Sequence, residues 1–98
     1  MSDVVDFIHE HFCERDLTVE SLAKMCSMSD TYFRKLFKKR FAVTPLKYIN
    51  QLKVDYAVEL LQSGYYTVSE VAEKTGFDNV YYFSLFIKKE TGKPPSQI

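Results

Sequence analysis

Glycine and proline are scarce in this sequence, three of each in 98 residues, so few positions force a helix to break. Leu, Lys, Glu and Ala are plentiful by contrast, and a helical fold is expected. Cysteine is nearly absent: Cys13 and Cys26 form no CxxC pair, and a reduced, cytoplasmic protein is the simplest reading. No apolar run approaches the roughly 18–20 residues that span a bilayer, so no membrane partner is expected. The opening MSDVVDFIHEHF carries acids early and no basic segment, which does not fit a secretory signal peptide. The only histidines, His9 and His11, lie two apart and point to different faces of one helix. His9-x-His11-x-Cys13 has no fourth ligand near it in sequence, so no metal is expected. No Gly-rich phosphate loop and no nucleophile–base pairing is visible, and neither an enzyme nor a cofactor is expected.

Net charge is also missing: 13 bases balance 13 acids. Taken alone, that balance argues against a nucleic-acid partner. The distribution argues the other way. Residues 1–30 hold seven acids and only Arg15 and Lys24 as bases. Residues 31–54 hold seven bases and no acid. A neutral total thus hides a basic segment, and local potential governs binding to a polyanion. A solvated helix face is the plainer meaning of such a run.

What is present in quantity is aromatic: eight Phe and seven Tyr within a 46% hydrophobic composition, ample for a packed core and against disorder. Hydrophobic spacing predicts a first helix over Asp3 to about Glu14, with Val5, Ile8 and Phe12 as its buried stripe. Thr18 caps a short second helix that turns Leu22, Ala23 and Cys26 inward. Ser29 caps a third, to about Arg40, with Phe33, Leu36 and Phe37 on one face. Its opposite face carries Thr31, Arg34, Lys35 and Lys38. Pro45 opens a long helix to about Gln62. Thr67 and Glu70 form a capping box for the next, Gly76 stops it, and Asp78 or Asn79 caps the last helix, which buries Phe83, Phe86 and Ile87 and ends at Gly92. Tyr32, like Phe33, Phe37, Phe83 and Phe86, reads as core.

The chain repeats itself. Thr18-Val19 matches Thr67-Val68, Leu22-Ala23 matches Val71-Ala72, and Met28 matches Phe77, each 49 residues on. From Tyr32/Tyr82 the offset is 50, through Phe33/Phe83, Phe37/Ile87, Lys38-Lys39/Lys88-Lys89 and Pro45/Pro95. Each unit reads as a short helix, a turn and a longer helix, the helix-turn-helix pattern. The small Ala23 and Ala72 let the second helix cross closely over the first. An all-α fold of about seven helices follows, with a first unit over 1–44, a linker helix over 45–63 and a second unit over 64–98. At 1.5 Å per residue the linker would be roughly 25 Å long. In such a unit the second helix meets base edges in the major groove. Arg34 and Lys35 suit the two guanine acceptors, while Lys38, Lys39 and Lys88 suit phosphates. The helix starts at Ser29 and Asn79 would offer backbone N–H groups to phosphates. Two such helices on one connector would enter successive grooves about 34 Å apart.

LTVESLAKMCSMSDTYFRKLFKKRFAVTPLKYI and TVSEVAEKTGFDNVYYFSLFIKKETGKPPSQ resemble the AraC/XylS-type DNA-binding domain, over nearly the whole chain from about Asp6. The ordered pair of units, Gly76-Phe77, and Lys88-Lys89 with Gly92 and Pro95 are its most specific pieces. The resemblance implies a bacterial transcription regulator that binds double-stranded DNA, using Val80, Tyr81, Ser84, Leu85 and Lys88 on the second recognition helix. It also implies a sensing or receiver domain N-terminal to this piece, RNA polymerase as a partner, and a homodimer in the full-length protein. Three positions depart from the family pattern. Leu85 stands where Arg is common, and can touch a thymine methyl, face a partner domain or contribute nothing. Ala42 replaces a helix-ending Gly, and the chain stops at Ile98, about where a short Tyr/Arg-bearing tail would continue, as an excised fragment would. The competing reading is a helical protein-interaction module whose basic face binds an acidic protein. Salt separates the two: titration of a duplex at rising ionic strength is expected to show steep weakening if phosphates are contacted, and a shallow response would favour the protein-binding module.

Overall fold

Six α-helices and a closing 3₁₀ turn make up the computed structural model, which describes residues 2–98; Met1, the start of the expected first unit, lies outside the described residues. The helices are α1 (Ser2–His11), α2 (Val19–Met25), α3 (Asp30–Phe41), α4 (Pro45–Ser63), α5 (Val68–Lys74) and α6 (Val80–Thr91), with the 3₁₀ turn at Pro95–Gln97. No strand occurs among the described residues, so the expected all-α class holds. The chain divides into two compact units, Met1–Leu52 and Lys53–Ile98, and the division falls inside α4.

Side-chain caps decide where the helices begin. Thr18 Oγ1 accepts the Ser21 N–H at 3.0 Å, and the Thr18 N–H donates to Ser21 Oγ at 3.0 Å, a reciprocal box that opens α2. Thr67 and Glu70 do the same for α5. The N–H of Thr67, donating to Glu70, holds that carboxyl below the usual carboxylate range. Ser29 accepts from the Tyr32 N–H and Asn79 from the Tyr82 N–H, opening α3 and α6. Thr44 accepts from the Lys47 N–H, with Pro45 at the first helical position.

The turn between the short and long helix of each unit is one motif used twice. In the first, the Met28 N–H donates to the Ala23 carbonyl at 2.9 Å; in the second, the Phe77 N–H donates to Ala72 at 2.9 Å. That six-to-one bond closes a helix through a left-handed residue. The residue is Gly76 (φ 87°) in the second unit and Ser27 (φ 56°) in the first.

In the first unit Leu22, Ala23, Phe33 and Phe37 are buried with Val4, Ile8, Val19 and Ile49. Phe37 lies tilted against Phe41 with ring centres 4.6 Å apart and meets Tyr48 edge-on at 5.6 Å. In the second unit Ala57, Val71, Ala72, Phe83 and Ile87 form the core, with Phe77 edge-on to Phe83 at 5.4 Å. Truncating one such buried Phe costs about 3–5 kcal/mol, a large part of the roughly 5–15 kcal/mol that stabilises an ordinary domain. Thr75 is the one fully buried polar side chain among the described residues, and its hydroxyl donates back to the Val71 carbonyl at 2.8 Å.

Several expectations need correction. Tyr32 is 57% exposed rather than core: it lies about 100° around the helix from Phe33, and the Phe33/Phe37 pair already holds the inward face. Phe86 is only half-buried. The first helix ends at His11, not near Glu14, because the Glu14 N–H turns to the His11 carbonyl at 2.9 Å. Its deepest residues are Val4 and Ile8, with Val5 and Phe12 packed at the margin.

Ala42 ends α3 in the left-handed region (φ 67°), its N–H on the Lys38 carbonyl at 2.8 Å. Fifty residues on, Gly92 does this job at φ 82° with the same bond to Lys88. An alanine Cβ there is disfavoured by roughly 1–2 kcal/mol, partly offset by the greater freedom of an unfolded glycine. Ala42→Gly is therefore expected to stabilise the chain by about 1 kcal/mol in chemical denaturation; a loss of stability would show that Ala42 is not strained.

Candidate nucleic-acid interface

Burial of Phe33 and Phe37 on one side of α3 turns the other side to solvent. Thr31, Arg34, Lys35 and Lys38 are all exposed there, one continuous face at i, i+3, i+4, i+7. Lys39 is exposed as well, about 100° around from Lys38. Lys38, Lys39 and Arg40 occupy the last turn, where cations complement the helix dipole. Not every member of the basic run lies on this face. Lys53 is half-buried in the second unit, its ammonium 5.4 Å from the Phe77 ring centre.

Arg34 has a partner that spacing rules do not reveal. Its Nη2 lies 3.4 Å from Glu20 Oε1, on α2, with both side chains at least half exposed. Fourteen residues separate the two, and only the helix crossing brings them together. An exposed pair of this kind is worth about 0–1 kcal/mol. A bidentate guanine contact discriminates by about 1–3 kcal/mol. The Glu20 pair is thus weak enough for the Arg34 guanidinium to exchange it for another acceptor.

The outward face of α6 has the same register and a different chemistry. Val80, Tyr81 and Leu85 are 39%, 65% and 50% exposed, and Lys88 is exposed one turn further on. Ser84 is half-buried between them. Tyr82, expected to match Tyr32, is likewise on the surface at 61%, its ring 5.5 Å from that of Tyr81.

The two helix starts also differ. Ser29 and Asn79 both spend a side-chain oxygen on their own helix. Asp30 sits in the first turn of α3, where its charge opposes an incoming anion, whereas α6 has no acid in its first turn. Asn79 thus heads the N-terminus better suited to a phosphate.

On α1, His9 Nε2 lies 2.7 Å from the Tyr48 hydroxyl, and His11 pairs with Glu14. Among the described residues no three His, Cys, Asp or Glu side chains gather where they would hold a metal ion.

Comparison with known proteins bears on this arrangement. A family model described as a helix-turn-helix domain matches residues 22–98. The chain is 36% identical over 90 residues to the MmsAB operon regulatory protein of Pseudomonas aeruginosa, covering 92% of this chain and 29% of that protein. The C-terminal domain of the two-component response regulator yesN from Fusobacterium nucleatum superposes with a TM-score of 0.92 at 28% identity, over 98% of this chain and 93% of that one. The DNA-binding domain of AdpA, solved in complex with a target DNA, superposes with a TM-score of 0.86 at 29% identity, over 98% and 86%. This chain spans under half the length of the curated relatives it matches.

Proposed function

This chain belongs to the AraC-type helix-turn-helix family, and on that premise we propose that it is the sequence-specific DNA-binding part of a bacterial transcriptional regulator. Each unit places its longer second helix in a major groove of double-stranded DNA, the two taking successive grooves. One observation carries the reading. In both units a recognition helix is anchored by fully buried residues, Phe33 and Phe37 or Phe83 and Ile87, while the registered opposite face is left to solvent.

The residues divide by chemistry. Arg34 and Lys35 donate to guanine O6 and N7, Thr31 reaches base or phosphate, and Lys38, Lys39 and Lys88 meet phosphates. Ser29 and Asn79 start helices whose free N–H groups face the backbone of the duplex. Val80, Tyr81, Ser84 and Leu85 form the reading face of α6. The solved complex of AdpA with its target DNA supports this assignment by likeness of fold. In the intact regulator we propose a sensing or receiver domain N-terminal to this piece, a reading supported by the similarity to a response-regulator C-terminal domain. Contact with RNA polymerase and assembly as a homodimer belong to the same proposal, as does a cytoplasmic location. No helix among the described residues is long and apolar enough to cross a membrane.

Arg34→Ala is expected to lower affinity for the specific duplex by about 1–3 kcal/mol and to relax preference at one base position. Fluorescence titration against specific and random duplexes reads both effects. Equal loss on the two would make Arg34 a phosphate contact, and absence of any preferred duplex for the native chain would contradict the proposal.

A further inference from the structure

The two recognition faces present different chemistry to the same kind of groove. Where α3 has Thr31, Arg34 and Lys35, the registered positions of α6 are Tyr81, Ser84 and Leu85, and Val80 replaces Asp30. Val80, Tyr81 and Leu85 stay on the surface although Phe83 and Ile87 of the same helix are fully buried. Tyr81 and Leu85 are one turn apart and share a side, with Val80 beside them. An apolar strip therefore occupies the first two turns of α6, the part of a recognition helix that reaches base edges.

The surroundings of the strip choose its occupant. Lys88 and Lys89 follow in the last turn of α6, both exposed, and the first turn carries no acid. Those cations follow the strip, and the one acid at its start, Asp78, lies before the Asn79 cap rather than in the helix, an arrangement that suits a polyanion whose interior offers an apolar group. Major-groove edges offer one such group, the 5-methyl of thymine. We propose that α6 reads thymine: Leu85, flanked by Tyr81 and Val80, packs on thymine 5-methyl groups in the groove taken by the second unit, while Ser84 donates to the adjacent thymine O4. The inference rests on the DNA-binding reading above and specifies what one half of the site must contain. The first unit selects guanine by charge, and the second selects thymine by apolar contact.

Replacing thymine by deoxyuridine removes the methyl and leaves base pairing intact, so it isolates this contact. Duplexes would be selected from a randomised library with the native chain, then resynthesised with each thymine replaced singly. The half-site of α6 is the part whose base preference survives Arg34→Ala. At one or two thymines there, deoxyuridine is expected to weaken binding about fourfold, the factor for withdrawing one methyl-sized group from an apolar contact. Leu85→Ala is expected to bind the thymine and deoxyuridine duplexes equally. Leu85 is half exposed, so this change leaves the core untouched, and Tyr81→Ser serves as a second variant with a smaller loss of the same discrimination. A specific duplex with no thymine in that half-site, or one indifferent to deoxyuridine, would overturn the inference while leaving DNA binding in place. An unchanged deoxyuridine effect in Leu85→Ala would overturn the role of Leu85. Failure to select any preferred duplex would remove both this inference and the function it rests on.

Discussion

A buried alanine on the short helix of each unit is the constraint on which the rest depends. Ala23 and Ala72 are 0% and 2% exposed, and each lies in the core that also holds the anchoring residues of the next helix. A larger side chain there would overpack the core and push the two helices apart. The same alanines accept the turn-closing bonds from Met28 and Phe77. One residue thus sets both the spacing of the helices and the path of the chain between them.

Much of this was legible in the residues because it rests on local chemistry. Thr18, Ser29, Thr67 and Asn79 are capping side chains, and each caps the helix it precedes. The bounds of α4 needed only Pro45 and the Ser63-Gly64 ending. Pairing Ala23 with Ala72 by offset already implied that both were small for a shared reason. What escaped was whatever depends on which of two adjacent apolar residues wins the core. Tyr32 and Phe33 have similar hydrophobic appeal, and only helix phase set by Phe37 separates them. Ser27 in a left-handed turn was hidden because serine carries no such signal, whereas its counterpart Gly76 does. The Glu20–Arg34 pair needed the helix crossing itself.

Asymmetry between the copies follows a physical logic. Charge reaches far and draws a duplex in, while apolar contact discriminates only at close range. With cations along the whole outward face of α3 and only in the last turn of α6, the proposed reading assigns attraction mainly to the first unit and close-range selection to the second. Stability is distributed unevenly too. The first copy retains an alanine in a left-handed cap where the second has glycine, so α3 ends at some conformational expense that α6 avoids.

Both units are proposed to occupy major grooves of one duplex. Hydroxyl-radical footprinting of the native chain on its selected duplex tests this most directly. Two protected tracts on one face of the DNA, about one helical turn apart, are expected. A single tract, or two tracts on opposite faces, would contradict the proposal.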